Sequence, residues 1–244
     1  LRPRGDRAIV RVDPLPGVPA EDDLCIRAAH LLQRETGTML GVDIALDKRL
    51  PLGGGLGGGS SDAASVLVGL NALWDTGLDE DALAALGLRL GADVPVFVRG
   101  RSAFAEGVGE RLTPVQLPEC WYVVVHPRIS VATTALFQVS ELTRNSPTTT
   151  ISRFLSGASA SNVFEPVVRA RYPAVAAAFD WLGGYGRARL SGSGGCVFLD
   201  VDDEAAAARI VARCPDRFAA WIARGVDRSP LLAARDVFSA GASP

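Results

Sequence analysis

Residues 52–59 hold six glycines, interrupted only by Leu52 and Leu56. Backbone this permissive loses too much conformational entropy to persist as helix or strand. Ser60, Ser61 and Asp62, residue types that cap helices, follow at once. Ala64, Leu67, Val68 and the run 70–74 then supply the apolar face of a helix. Loop, cap and helix in that order let backbone N–H groups converge on an anion, with the positive end of a helix dipole behind them. The stretch therefore reads as a phosphate cradle. It contains no G-x-x-x-x-G-K-[ST] loop. Gly53, Gly55 and Gly58 satisfy G-x-G-x-x-G, but the surrounding pattern lacks the doubly wound rhythm of a dinucleotide site. A flexible linker is disfavoured because helix capping follows directly.

The chain has 244 residues, 48% of them hydrophobic, enough for one large domain or two modest ones. A net charge of -2 argues against gripping nucleic acid or anionic lipid through bulk charge and leaves room for a small anionic ligand. No stretch approaches the roughly 20 apolar residues of a membrane span, and residues 1–10 lack a signal peptide's apolar core. A cytoplasmic location is the expectation. Cys25, Cys120, Cys196 and Cys214 form no C-x-x-C pair and no metal-like cluster with His30 or His126, and are expected to be reduced, mostly buried thiols. The cations are 24 Arg and one Lys, Lys48, and a compositional bias does not explain why that position keeps lysine. Opening at Leu1 on a strand, a turn at Gly5 and Asp6 and a second strand, the sequence reads as starting inside a domain.

Periodicity predicts a helix from Asp22 and Asp23 to a stop at Gly37, a strand over 41–46, and a helix over 79–90. Asp93 falls in a turn before a strand over 96–98, with another strand over 102–106. The Pro-bearing stretch 113–119 reads as a linker. Beyond it come a strand over 121–125, helices over 133–141, 154–168 and 174–182, a glycine-rich strand entry over 191–200, a helix over 203–214 and a last strand over 219–226. Mixed elements without a βαβ rhythm predict α+β class in two domains, 1–117 and 118–244.

A carboxylate held in a turn, as Asp93 is, suits a base that takes a proton from a hydroxyl attacking phosphorus, or else caps the turn. Lys48, just before the loop, suits a nucleotide's phosphate or base, or else is an exposed strand-end lysine. His126, Glu106 and Glu110 are assigned no chemistry.

Three strings, PLGGGLGGGSSDAASVLVGLNALW, LGADVPVFVRGRSAFAEGVGE and ARLSGSGGCVFLD, in that order and spacing, resemble the GHMP superfamily of small-molecule kinases over nearly the whole chain. Within it they look like the branch that phosphorylates the 2-hydroxyl of a cytidine diphosphate methylerythritol in the non-mevalonate route to isoprenoid precursors. The resemblance implies an α+β, two-domain GHMP kinase fold, with a ribosomal protein S5 domain 2-like N-terminal lobe and a ferredoxin-like C-terminal lobe. It implies ATP and Mg2+, and a monomer or weak homodimer. It places Pro51, Leu52, Gly53, Gly54, Gly55, Leu56, Gly57, Gly58, Gly59, Ser60 and Ser61 around the ATP phosphates, makes Asp93 the catalytic base, and sets Leu24 and Lys48 near the adenine. Gly192, Ser193 and Gly194 would line the substrate side. Phe137 is similar in position to an aromatic that stacks on cytosine, with ordinary helix core as the alternative. Ser60 and Asp62 could touch Mg2+ or phosphate, but read first as helix caps.

The superfamily's opening P-A-K-[IL]-N strand and G-Y-H segment occur nowhere in these residues, so the fold is expected with its N-terminal strands missing. The lysine of the first supplies charge beside the catalytic Asp, so residues 1–244 are expected to bind ATP and turn over slowly. Another GHMP small-molecule kinase, acting on homoserine or mevalonate, and a non-catalytic nucleotide-binding module are the alternatives.

Overall fold

Two short strands at the start of the chain do not pair with each other. In the computed structural model, which describes residues 1–156 and 161–241, β1 (Arg2–Arg4) and β2 (Ile9–Arg11) flank β3 (Gly41–Ile44), the first antiparallel to it and the second parallel. The intervening helix α1 (Leu24–Thr36) starts where the Asp23 carboxylate accepts the Cys25 amide at 2.9 Å and stops at Gly37 in left-handed conformation. α2 (Gly58–Leu73) packs on α1, and their contact buries Leu32, Leu67 and Leu70 completely. α3 (Glu80–Leu88), capped by Asp79, leads to α4 (Val94–Arg99) and the hairpin of β4 (Ala103–Glu106) and β5 (Arg111–Pro114). A last helix, Pro230–Gly241, lies against α2.

Several expectations are corrected here. α2 starts at Gly58, so Ser60, Ser61 and Asp62 lie within its first turns rather than capping it. The strand over 96–98 is helix α4. Thr113 and Pro114 belong to β5, which shortens the supposed linker, and the helix at Pro230–Gly241 was not anticipated.

The other unit is built on β6 (Trp121–His126). After it come α5 (Thr133–Phe137), α6 (Ile151–Leu155), α7 (Phe164–Arg171) and α8 (Pro173–Gly183), then β7 (Arg189–Leu190), β8 (Val197–Val201), α9 (Glu204–Val211) and β9 (Ala219–Arg224). The strands form an antiparallel sheet in the order β7-β8-β6-β9, the ferredoxin-like β-α-β-β-α-β arrangement. Val123, Val125, Val175, Ala178 and Leu182 form its fully buried centre. The expected helix over 133–141 ends at Phe137, and the one over 154–168 divides into α6 and α7, with 157–160 outside the described residues.

Neither unit is contiguous in sequence. The first comprises Leu1–Arg49, Gly58–Gln116 and Asp227–Pro244, and the second Leu50–Gly57 and Leu117–Val226. Division into 1–117 and 118–244 follows chain order, whereas contacts assign the glycine loop and the last helix to the opposite units. All four cysteines are free, with Cys25 and Cys196 buried.

Leu182→Ala should destabilise the second unit by about 2–5 kcal/mol in urea unfolding, the usual cost of a cavity at a fully buried leucine. In the first unit Asp43 is buried and held by Arg2 at 2.5 Å and Arg4 at 2.6 Å, which keep its carboxyl below the ordinary range. A lowered folded value means this stabilisation is complete above the unfolded pKa of about 3.9 and is lost as pH falls through the folded one. Asp43→Asn should therefore flatten the fall in Tm below about pH 4.

Candidate active site

The glycine loop is held by its carbonyls. Gly53 O accepts the Val131 amide at 3.4 Å, Gly54 O the Cys196 amide at 2.9 Å, and Gly55 O the Ser191 hydroxyl at 2.8 Å. The partner of the last two is the glycine-rich turn 191–196, closed by the Ser191 amide on Cys196 O and the Gly194 amide on Ser191 O, each at 3.0 Å. The approach leaves no room for side chains. A Cβ on Gly195 would stand 2.6 Å from Gly53 O, and one on Gly55 would fall on the carbonyl oxygens of Ser191 and Gly194. Both glycines also have positive φ, +96° and +71°, which L side chains rarely adopt. With the carbonyls consumed, the amides of 53–57 donate to no backbone acceptor among the described residues. The chain runs directly into α2, whose opening residues Gly58, Gly59, Ser60 and Ser61 carry the amides that a helix cannot pair internally. Pro51, Leu56 and Gly57 are half-buried and Leu52 is exposed. Unpaired donors along a glycine loop and a helix start are what an anion completes.

The turn 191–196 is itself braced. The Asn162 side-chain amide donates to Gly192 O at 2.7 Å and to Leu190 O at 3.2 Å, and Ser193 shares a hydroxyl hydrogen bond of 2.7 Å with Thr133. Sequence reasoning missed Asn162, whose only local signal is an Asx residue just ahead of a helix. Phe137, at the end of α5, is 58% exposed and meets the Phe164 ring edge-on at 5.0 Å, so it is not helix core.

In the first unit Lys48 Nζ donates to Asp62 at 2.5 Å, with the lysine side chain only 12% exposed, so it is no exposed strand-end residue. Leu24 packs at Gly59, within 3.4 Å of where a Cβ would stand. Leu24, Lys48 and Asp62 thus gather at the first turns of α2. Burial, with Asp23 and Asp62 nearby, pushes the Cys25 thiol up to about 12, which keeps it protonated and unreactive.

Asp93 occupies the N-cap position of α4, but its side chain makes no capping hydrogen bond and is exposed. The capping alternative therefore fails. Its turn is positioned from two sides. Gly91 comes within 4.0 Å of the Ser60 hydroxyl, measured from a Cβ position, and Gly109, at φ +110°, lies so close on the Ala92 carbonyl that any Cβ would collide with it. An uncommitted carboxylate consequently stands beside the helix start that carries the unpaired amides.

The sequence matches the family models of the GHMP kinases N terminal domain over residues 23–101 and the GHMP kinases C terminal domain over residues 143–220. It is 56% identical over 234 residues to the 4-diphosphocytidyl-2-C-methyl-D-erythritol kinase of Halorhodospira halophila, covering 95% of this chain and 81% of that protein. The enzyme of that name from Xanthomonas axonopodis pv. citri is also 56% identical, over 97% of this chain and 80% of its own length. Among solved structures, a 4-(cytidine 5'-diphospho)-2C-methyl-D-erythritol kinase superposes with a TM-score of 0.74 at 31% identity, covering 91% of this chain and 84% of that one. Homoserine kinase from Cytophaga hutchinsonii shares the fold at a TM-score of 0.70 and 17% identity, over 93% of this chain and 84% of its own.

Gly195→Ala should separate the two glycine stretches. Expected are a loss of about 1–3 kcal/mol in urea unfolding and faster hydrogen exchange at the Cys196 amide, which bonds Gly54 O.

Proposed function

Since this chain belongs to the GHMP kinases, and among them to the 4-diphosphocytidyl-2-C-methyl-D-erythritol kinases, we propose that it moves the γ-phosphoryl group of ATP onto the 2-hydroxyl of 4-diphosphocytidyl-2-C-methyl-D-erythritol, a step toward isoprenoid precursors. The observation that carries the reading is the exposed, uncapped Asp93 in a turn against Ser60, at the start of the helix that the glycine loop feeds.

In this reading the amides of 53–57 and the first turn of α2 bind the ATP phosphates through backbone donors and helix dipole. Asp93 accepts the proton of the 2-hydroxyl as its oxygen bonds to the γ-phosphorus, and the bond from that phosphorus to the bridging oxygen breaks to release ADP. Leu24 and Lys48 contact the adenine end. Paired with Asp62, Lys48 acts there as a fixed hydrogen-bond donor rather than a free charge. Phe137 offers an exposed ring face to the cytosine, and Gly192, Ser193 and Gly194 line the path of the acceptor.

Among the described residues no three His, Cys, Asp or Glu side chains gather closely enough to hold a metal ion. Mg2+ is accordingly taken as part of the nucleotide substrate, bound through phosphates with at most one or two protein oxygens, for which Ser60 and Asp62 are the candidates. Among the described residues no helix is long and apolar enough to cross a membrane. We take the cytoplasm, where ATP is supplied, as its compartment, four free thiols agreeing with a reducing one, and a monomer or weak homodimer as its state.

Release of ADP with this acceptor, beside Asp93→Asn, tests the proposal. The variant should lose about 10²–10⁴-fold in kcat while its ATP Kd stays within about twofold. Transfer to homoserine or mevalonate instead would overturn the acceptor. ATP binding without transfer to any of the three would leave a nucleotide-binding module.

A further inference from the structure

We infer that Asn162 is a positioning residue that sets the phosphate loop and the aromatic pair at Phe137 and Phe164 in fixed relation, coupling nucleotide and acceptor binding. The ligands named rest on the kinase reading above; the coupling rests on the geometry of the second unit alone.

Both donors and the acceptor oxygen of one amide side chain are engaged. Its Nδ2 reaches Gly192 O at 2.7 Å and Leu190 O at 3.2 Å, across 30 and 28 residues of sequence, while its Oδ1 accepts the Phe164 amide at 3.0 Å. Gly192 belongs to the turn that grips the carbonyls of Gly54 and Gly55. Phe164 opens α7 and holds the exposed Phe137 ring edge-on, their planes at 83°. From Phe137 the path returns through α5 to Thr133, whose hydroxyl bonds Ser193, the neighbour of Gly192. The result is a closed circuit from Gly192 through Asn162, Phe164, Phe137 and Thr133 to Ser193. Arg144 stiffens its far side by donating to the carbonyls of Phe137 at 2.7 Å, Val139 at 2.9 Å and Leu142 at 3.1 Å.

A side chain serving only as a local turn would need Oδ1 alone, since an Asx turn satisfies nearby backbone. The two bonds to distant carbonyls are surplus to that role. They fix the turn 191–196 to the start of α7, so displacing one end of the circuit displaces the other.

The two halves of the amide can be separated. Asn162→Asp keeps an acceptor for the Phe164 amide and replaces the donor by an oxygen facing two carbonyls. Asn162→Ala removes both functions, and Phe164→Leu removes the ring edge alone. ATP and cytidine 5'-diphosphate are titrated calorimetrically into each, with urea midpoints recorded alongside. In the unsubstituted chain each saturating nucleotide should lower the Kd of the other about fivefold; Asn162→Asp should raise the Kd of ATP about tenfold and bring that factor to about one, Phe164→Leu should raise the Kd of cytidine 5'-diphosphate and also abolish the factor, and Asn162→Ala should raise both constants. Both constants unchanged in the two Asn162 variants would overturn the inference. So would equal weakening of both ligands in every variant in step with the urea midpoint, which marks a purely structural residue. Failure of phosphoryl transfer in the unsubstituted chain would count against the kinase reading only, because both Kd values are read without turnover.

Discussion

The glycine loop depends on a tight contact with a second glycine turn, in which Gly54 O takes the Cys196 amide and Gly55 O the Ser191 hydroxyl, while Gly53 O takes the Val131 amide. Ser191 and Gly55 are 136 residues apart in sequence, yet a hydrogen bond of 2.8 Å joins the two stretches. A peptide plane whose carbonyl is fixed has its amide fixed as well, pointing the opposite way. The loop therefore presents donors in a set direction with no side chain and no rotamer entropy to lose. An anion meets dipoles already oriented, the condition under which electrostatic stabilisation is greatest.

Two carboxylates near the start of α2 have been given different environments. Asp62 is paired with Lys48, the chain's single lysine, at 2.5 Å. Asp93 is exposed, lacks the capping bond that its position would usually make, and sits in a turn propped by Gly109.

Much of this was legible in order and spacing, and the failures have identifiable causes. α1 announced itself through Asp23 and Gly37, α9 through Asp203, and β6 through its unbroken apolar run. α4 was misread because Val96 and Val98 favour strands, yet Pro95 in its first turn and a left-handed Gly100 at its end make a helix, with Val94 and Val98 buried one turn apart. The last helix carried its own signal, Ser229 ahead of Pro230, and Ser229 Oγ does accept the Leu231 amide at 3.2 Å. The glycine loop running into α2 and the turn that carries Asp93 were visible because their signals are local. Asn162 was not, since its partners lie about thirty residues further on, and no window of sequence reveals such a bond.

The discontinuity of the units bears on how the chain acquires its structure during synthesis. The polypeptide passes from one unit to the other at 49/50, 57/58, 116/117 and 226/227. Residues of the first unit are therefore not complete until the final helix has left the ribosome, although its sheet and four of its helices are made early. The second unit, in turn, needs a loop synthesised some sixty residues before its first strand. The second unit has all its residues at Val226, before the first has its last segment, and the long closures involved carry the entropic delay of high contact order. A nascent chain of this kind exposes apolar surface for most of its translation, which makes it a natural client for chaperones.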